Sequence, residues 1–318
     1  MNQVNFILGT MTFGEQLFGD DVTEMIRSFA ACGYTELDTA YVYNNGQSEA
    51  LIGEALQKIG QSDIKVSTKV NPRITGRLDK AAVYSQFEES LKRLQLDCVD
   101  TLYLHFPDAS VPVESPLEAC ADLFAQGKFK RLGLSNFPAW LVVDVYYKCK
   151  ENGWMLPSVY EGLYNPLSRK AEGELKQVLD AFGLSFCAYN PLAGGMLTNK
   201  YSGMSDAPTD GRFINRPNYK NRYWKQSYFD AIDVLKKLCE AHGISIIEAT
   251  YRWMAYHSML NMSRGDAIII GVSKISQLSQ NIAAVENGKL PDEIVEAFEN
   301  AWETTKADAP EYFRFYNS

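Results

Sequence analysis

Val99-Asp-Thr-Leu-Tyr-Leu-His105 is followed by Pro116-Leu-Glu-Ala-Cys-Ala-Asp-Leu-Phe-Ala125 and then by Phe129-Lys-Arg-Leu-Gly-Leu-Ser-Asn136. The outer runs are short, apolar and closed by a polar residue, while the middle run has the spacing of a helix. Alternating β and α units favour a parallel sheet covered by helices. The unit recurs upstream. Residues 6–11 precede an amphipathic stretch over 21–32, and 36–40 precede a helix opened by Ser48, whose hydroxyl suits an N-cap. Residues 64–70 precede a helix over 79–94. It recurs downstream as well, with 129–136 before 139–150 and 159–165 before 171–182. Residues 185–191 lead into a polar, glycine- and proline-bearing stretch up to about 221. Helical segments over 226–241 and 246–257 come next, then a strand at 267–272 with a helix over 276–286. A last helix near 292–306 and an aromatic tail complete the chain.

Eight such repeats predict closure into a (β/α)8 TIM barrel rather than an open doubly wound sheet. One extra helix is expected before the seventh barrel helix and another after the eighth. Gly9-Thr-Met-Thr-Phe-Gly14 has the wrong spacing for a dinucleotide turn after the first strand. No composition break marks a second domain. The expectation is one domain over residues 1–318, with 190–225 as a long cofactor and substrate loop and 290–318 as a C-terminal helix and tail.

The 318 residues are 46% hydrophobic and 22% charged, the balance of a soluble globular protein. No apolar run suggests a membrane span, and no basic-then-apolar opening suggests a signal peptide, so a cytoplasmic address is expected. Six scattered cysteines lack a C-x-x-C or a zinc spacing and read as buried thiols. A net charge of −8 without a basic stripe argues against nucleic acid. Of the three histidines, His242 and His257 fall in expected helices, which leaves a metal site unsupported.

In a parallel barrel, the C-terminal strand ends share one mouth. Asp38 in the second strand, Lys69 ending the third and His105 ending the fourth would meet there, with Tyr43 on the loop just after Asp38. Singly, each has an ordinary explanation: a capped turn, a solvated amine, a structural imidazole, a packed phenol. Together they suit carbonyl reduction. A phenol titrating near ~10 is a poor proton donor at neutral pH, and an adjacent ammonium lowers that value. Asp38 would neutralise the ammonium, and His105 would donate to the carbonyl oxygen.

Leu8-Gly-Thr-Met11, Glu36-Leu-Asp-Thr-Ala-Tyr-Val-Tyr-Asn-Asn-Gly-Gln-Ser-Glu49 and Leu132-Gly-Leu-Ser-Asn-Phe137 resemble the aldo-keto reductases. So do Ala188-Tyr-Asn-Pro-Leu-Ala-Gly-Gly-Met-Leu-Thr198, Asn221-Arg-Tyr-Trp-Lys225 and Pro310-Glu-Tyr-Phe-Arg314. The likeness covers essentially the whole chain and leans to the aflatoxin-aldehyde and succinic semialdehyde reductase branch. It implies NADPH-dependent aldehyde reduction, with Tyr43 as general acid, Lys69 and Asp38 as its tuning pair and His105 as the group that orients the carbonyl. It also implies cofactor contacts at Met11, Asp38, Ser135, Asn136, Glu161, Tyr189 and Asn190, continuing through Leu192, Gly194 and Lys200. Arg212, Gly271, Ser273, Gln277 and Asn281 complete that set. A clamp for a carboxylate-bearing aldehyde is implied at Tyr219, Arg222 and Arg314, and a homodimer is implied as well. The rival expectation is an NADP(H)-binding regulatory or redox-sensing subunit with little turnover, like potassium-channel β subunits.

Two positions depart from the family pattern. Ser273, Lys274 and Gln277 stand where a better-known branch has Lys-Ser and a later Arg at the 2′-phosphate. Glu161 stands where the family has a carboxamide-binding glutamine. A carboxylate accepts from an amide but, when ionised, cannot donate back. A negative Glu161 would favour the cationic oxidised ring. Glu161→Gln is therefore expected to weaken NADP⁺ binding relative to NADPH; equal effects on both affinities would refute it.

Overall fold

The structure is a computed structural model that describes residues 5–60, 63–206, 208 and 212–316. Residues 1–4, at the chain's opening, lie outside the described residues. Eight strands close a barrel in sequence order: β1 (Asn5–Gly9), β2 (Glu36–Asp38), β3 (Lys65–Val70), β4 (Val99–Leu104), β5 (Phe129–Ser135), β6 (Pro157–Leu163), β7 (Ser185–Tyr189) and β8 (Ala267–Ile270). Every pairing is parallel, and β8 returns to β1 with Asn5 opposite Ala267 and Leu8 opposite Ile270. The expected (β/α)8 barrel is the observed fold.

Side chains alternate along each strand, so one parity faces the helices and the other fills the barrel. Leu102, Leu104, Leu132 and Leu134 belong to the outer layer with the helices. Each is at most 1% exposed, and burying such a side chain contributes roughly 1.5–3 kcal/mol. Ile7, Tyr103, Val159, Cys187, Ala267 and Ile269 form a separate inner cluster. Gly133 is obligatory opposite Tyr103, because a Cβ there would overlap the phenol ring. Near the N-terminal strand ends, Arg131 bridges Glu36 and Asp100, each at 2.6 Å.

Local sequence sets the helices. Over Lys80–Leu94, Asp79 caps the first turn by accepting from Ala82 N–H at 2.9 Å, and Val83, Phe87, Ser90 and Leu94 are buried along one stripe. Such a cap contributes about 1 kcal/mol. The helix ends at Gln95, which adopts a left-handed conformation. Ile246–Tyr256 and Ile275–Ala284 complete the barrel's outer ring, the latter against Asp20–Ala31. Gln226–Ala241 and Asp292–Thr305 are the two extra helices, and they pack on each other.

Three expectations need correction. Ser48 does not cap its helix, which runs Gln47–Ile59 after Gly46. Its hydroxyl is buried at 2.8 Å from Thr10 Oγ1 and 2.9 Å from Thr39 Oγ1, tying β1 to the end of β2. The long segment after β7 is not wholly loop: Arg212–Asn215 and Pro217–Tyr223 are short helices, the second begun by a proline that suits a first turn. His242 and His257 follow their helices rather than lying inside them.

Candidate active site

Inward parity at the strand ends brings the predicted polar residues together. Asp38 closes β2, Lys69 lies one residue before the end of β3, His105 follows β4, and Glu161 lies within β6. Lys69 has no exposed surface. Its ammonium is paired with the Asp38 carboxylate, donates to Thr39 O at 2.9 Å and lies 3.1 Å from Glu161 Oε2. Two carboxylates therefore share one buried cation.

Tyr43 sits above this cation, with Lys69 Nζ 5.5 Å from its ring centre. The Tyr43 ring meets the His105 ring edge-on at 6.2 Å. Its loop is held by Asn44, whose amide donates to Met11 O at 2.9 Å and Phe13 O at 2.7 Å. Asn44 and Asn45 both have positive φ (49° and 56°), a conformation that asparagine tolerates better than most residues. Gly46 has φ 86°, a left-handed conformation that favours glycine, and it lets the Arg93 guanidinium approach closely and pack 4.3 Å over Tyr41.

Burial dominates the proton affinities. It would lower Lys69, but Asp38, Glu161 and Tyr43 more than reverse this and hold the amine charged. Burial also raises Tyr43; Lys69 pulls it down, and Asp38 and Glu161 push it back up. The expected lowering by Lys69 is present but outweighed. Burial, then the Asp38 charge, lifts Glu161 to about 8, so at neutral pH it carries its proton and can donate a hydrogen bond. Burial, Lys69 and Arg73 push His105 well below its usual range, leaving a neutral imidazole.

A cavity of about 860 Å³ runs from this cluster to the loop after β8. Tyr43, Asp38 and His105 line it, as do Met11, Asn136, Glu161, Tyr189 and Asn190. Leu192, Gly194, Lys200, Arg212, Gly271, Ser273, Gln277 and Asn281 line the far end, with Tyr219 and Arg222 on one wall. Lys69, Ser135 and Arg314 do not line it. Lys69 lies beneath, and Ser135 Oγ accepts from the Asn136 amide at 3.0 Å. Arg314 approaches on the tail, its backbone N–H donating to Asn136 O at 3.0 Å. Asn136 also accepts from Tyr189 OH at 2.7 Å, and Asn190 Oδ1 accepts from Arg212 Nη1 at 3.1 Å.

The Aldo/keto reductase family model matches residues 5–303. The chain belongs to the aldo/keto reductase family. It is 44% identical over 319 residues to aflatoxin B1 aldehyde reductase member 2 of Rattus norvegicus, covering 97% of this chain and 87% of that one. It is also 44% identical over 319 residues to aldo-keto reductase family 7 member A3 of Homo sapiens, covering 97% and 96% respectively.

Two residues of this aldo/keto reductase escaped the sequence reading: Asn71 and Arg73, both in the turn after β3. Asn71 shares the inward parity of Lys69, a signal that could have found it. Its backbone is clamped by Gln86, which accepts from Asn71 N–H at 2.8 Å and donates to Asn71 O at 3.1 Å. Its side-chain oxygen accepts from Arg73 N–H at 2.9 Å, which turns its NH₂ toward His105 Nδ1 at 3.0 Å. Nδ1 of a neutral ring must then accept, and Nε2 carries the proton. Asn71→Asp replaces that donor with an acceptor and should move the proton to Nδ1. Imidazole nitrogen NMR shifts would report the switch, accompanied by a fall in kcat of roughly 10²-fold with little change in KM. An unchanged His105 tautomer would refute this assignment.

Proposed function

We propose that this chain is an NADPH-dependent reductase of aldehydes, with carboxylate-bearing aldehydes such as succinic semialdehyde as a substrate class. The carrying observation is the fully buried Lys69, paired with Asp38 and Glu161 beneath Tyr43 at the floor of a large cavity. An isolated amine would not stay charged there, and a packing tyrosine would not need one. The aflatoxin B1 aldehyde reductases at 44% identity support the same reading.

The cavity suits a phosphorylated dinucleotide. Lys200 and Arg212 supply positive charge along its far side, and Ser273 and Gln277 stand at the start of the helix Ile275–Ala284, where anions are favoured. When bound, NADPH supplies the hydride. Tyr43 retains its proton at neutral pH and donates it to the carbonyl oxygen. His105, with Nε2–H free to donate, orients that oxygen and stabilises the charge developing on it. Lys69 stabilises the phenolate left on Tyr43, while Asp38 keeps Lys69 charged and in place. Asn136 and Tyr189, already hydrogen-bonded to each other, form the wall for the nicotinamide. The remaining cofactor contacts are those inferred from the family pattern. A cytoplasmic homodimer acting through one barrel domain per chain completes the proposal.

Because Glu161 keeps its proton up to about pH 8, its preference for the oxidised cofactor should emerge only above that point. The wild-type ratio of NADP⁺ to NADPH affinity should rise as pH increases through about 8, while Glu161→Gln stays flat. Parallel curves would contradict this role. Arg314→Ala should raise KM for succinic semialdehyde by about tenfold more than for an uncharged benzaldehyde, with Tyr43→Phe as the inactive control. An equal rise for both aldehydes would count against the acid clamp.

A further inference from the structure

The Lys69 ammonium meets two aromatic rings. Tyr43, which lines the cavity, has its ring centre 5.5 Å from Nζ. Tyr103, which belongs to the inner barrel cluster and does not line the cavity, has its ring centre at 5.3 Å. Both lie within the reach over which a ring face attracts a cation. The carboxylates come to the ammonium from β2 and β6, across the barrel, whereas Tyr103 comes to it from the interior. Strand register explains how. Lys69 stands opposite Tyr103, and Tyr103 stands opposite Gly133 on β5. The Tyr103 ring fills the place that Gly133 leaves, so closely that a Cβ there would fall 2.3 Å from the ring carbon Cδ1. Its hydroxyl reaches on to Cys187 Sγ of β7, 3.9 Å away. A side chain rooted on β4 thus crosses the barrel to β7 beneath the buried cation.

We propose that Tyr103 is a positioning residue for carbonyl reduction: its ring is the floor that holds the Lys69 ammonium up to Tyr43, and Gly133 is the gap in β5 that lets the ring lie there. This rests on the reductase reading, with Tyr43 as general acid, and adds a residue that acts only through Lys69. The ammonium stabilises the phenolate in proportion to how near it stays and how poorly it is screened. A ring face favours the cation without taking a proton from it. An aliphatic side chain in its place would leave space bordered by a charged group, the setting in which water enters a cavity. Water there would solvate the ammonium from the interior side and let it settle away from Tyr43. A tyrosine that merely filled the core would be replaceable by any apolar side chain of similar bulk.

The test measures single-turnover NADPH oxidation with benzaldehyde, together with the aldehyde's KM and the Kd of NADPH. It uses wild type, Tyr103→Phe, Tyr103→Leu, Gly133→Ala and the double variant Tyr103→Leu/Gly133→Ala. Tyr103→Phe keeps the ring and should keep at least about half of the rate. Tyr103→Leu should lose roughly tenfold in rate while KM and Kd stay within about twofold. Gly133→Ala displaces the ring without removing it and should lose a similar factor; it carries the test if Tyr103→Leu does not fold. Because both changes act through one ring, the double variant should be no slower than Tyr103→Leu. Three results overturn the proposal and leave the reductase standing: a Tyr103→Leu or Gly133→Ala enzyme with more than about half of the wild-type rate, losses that multiply in the double variant, or a Tyr103→Phe enzyme as slow as Tyr103→Leu. A wild type that oxidises no NADPH with benzaldehyde or succinic semialdehyde would remove the reductase reading itself.

Discussion

An ammonium with no exposed surface has to be neutralised by groups that the fold places around it. Lys69 is such a cation, and Asp38 and Glu161 come to it from β2 and β6, on either side of the barrel interior. With Glu161 protonated at neutral pH, the Lys69–Asp38 pair is balanced and Glu161 adds a hydrogen-bonding acid. That arrangement tolerates burial because the attraction acts in a poorly screened interior and Thr39 O accepts a further ammonium proton. Removing Asp38 would leave a charge the interior cannot solvate.

Closure of the barrel is what makes the cluster possible. Parallel strands present their C-terminal ends at one rim, and alternation sends Asp38, Lys69 and Glu161 inward while Leu37, Thr68 and Tyr160 take the opposite parity. The loops then refine the site. Asn44 pins the Tyr43 loop to β1, and Gln86 and Asn71 fix the turn after β3. The tail fastens over β4 and β5 through Asn136 O and Pro107 O. Protonation of His105 and the position of Arg314 both follow from these secondary contacts rather than from the strands alone.

Much of this was readable beforehand because strand ends announce themselves. Leu-Asp, Thr-Lys and Leu-His each interrupt an apolar run with a polar residue, and order along the chain places them on successive strands. Asn71 and Arg73 stayed hidden because Asn-Pro-Arg reads as an ordinary turn, and the partners lie far away in sequence. The net rise at Tyr43 was also hidden: the sign of the Lys69 effect follows from charge alone, but its contest with burial depends on cavity depth. Ser48 looked like a cap because a local hydroxyl usually serves the nearest helix; here Thr10 and Thr39 compete for it from the barrel rim. Polar composition and the proline masked the short helices at Arg212–Asn215 and Pro217–Tyr223.

The most direct measurement is the single-turnover rate of NADPH oxidation with an uncharged aromatic aldehyde in Lys69→Met, a variant that keeps the chain's bulk and removes the cation. If Lys69 stabilises the Tyr43 phenolate, the rate should fall by roughly 10³-fold or more with the helical circular dichroism unchanged. A correctly folded variant that retains more than about a tenth of the wild-type rate would contradict the account.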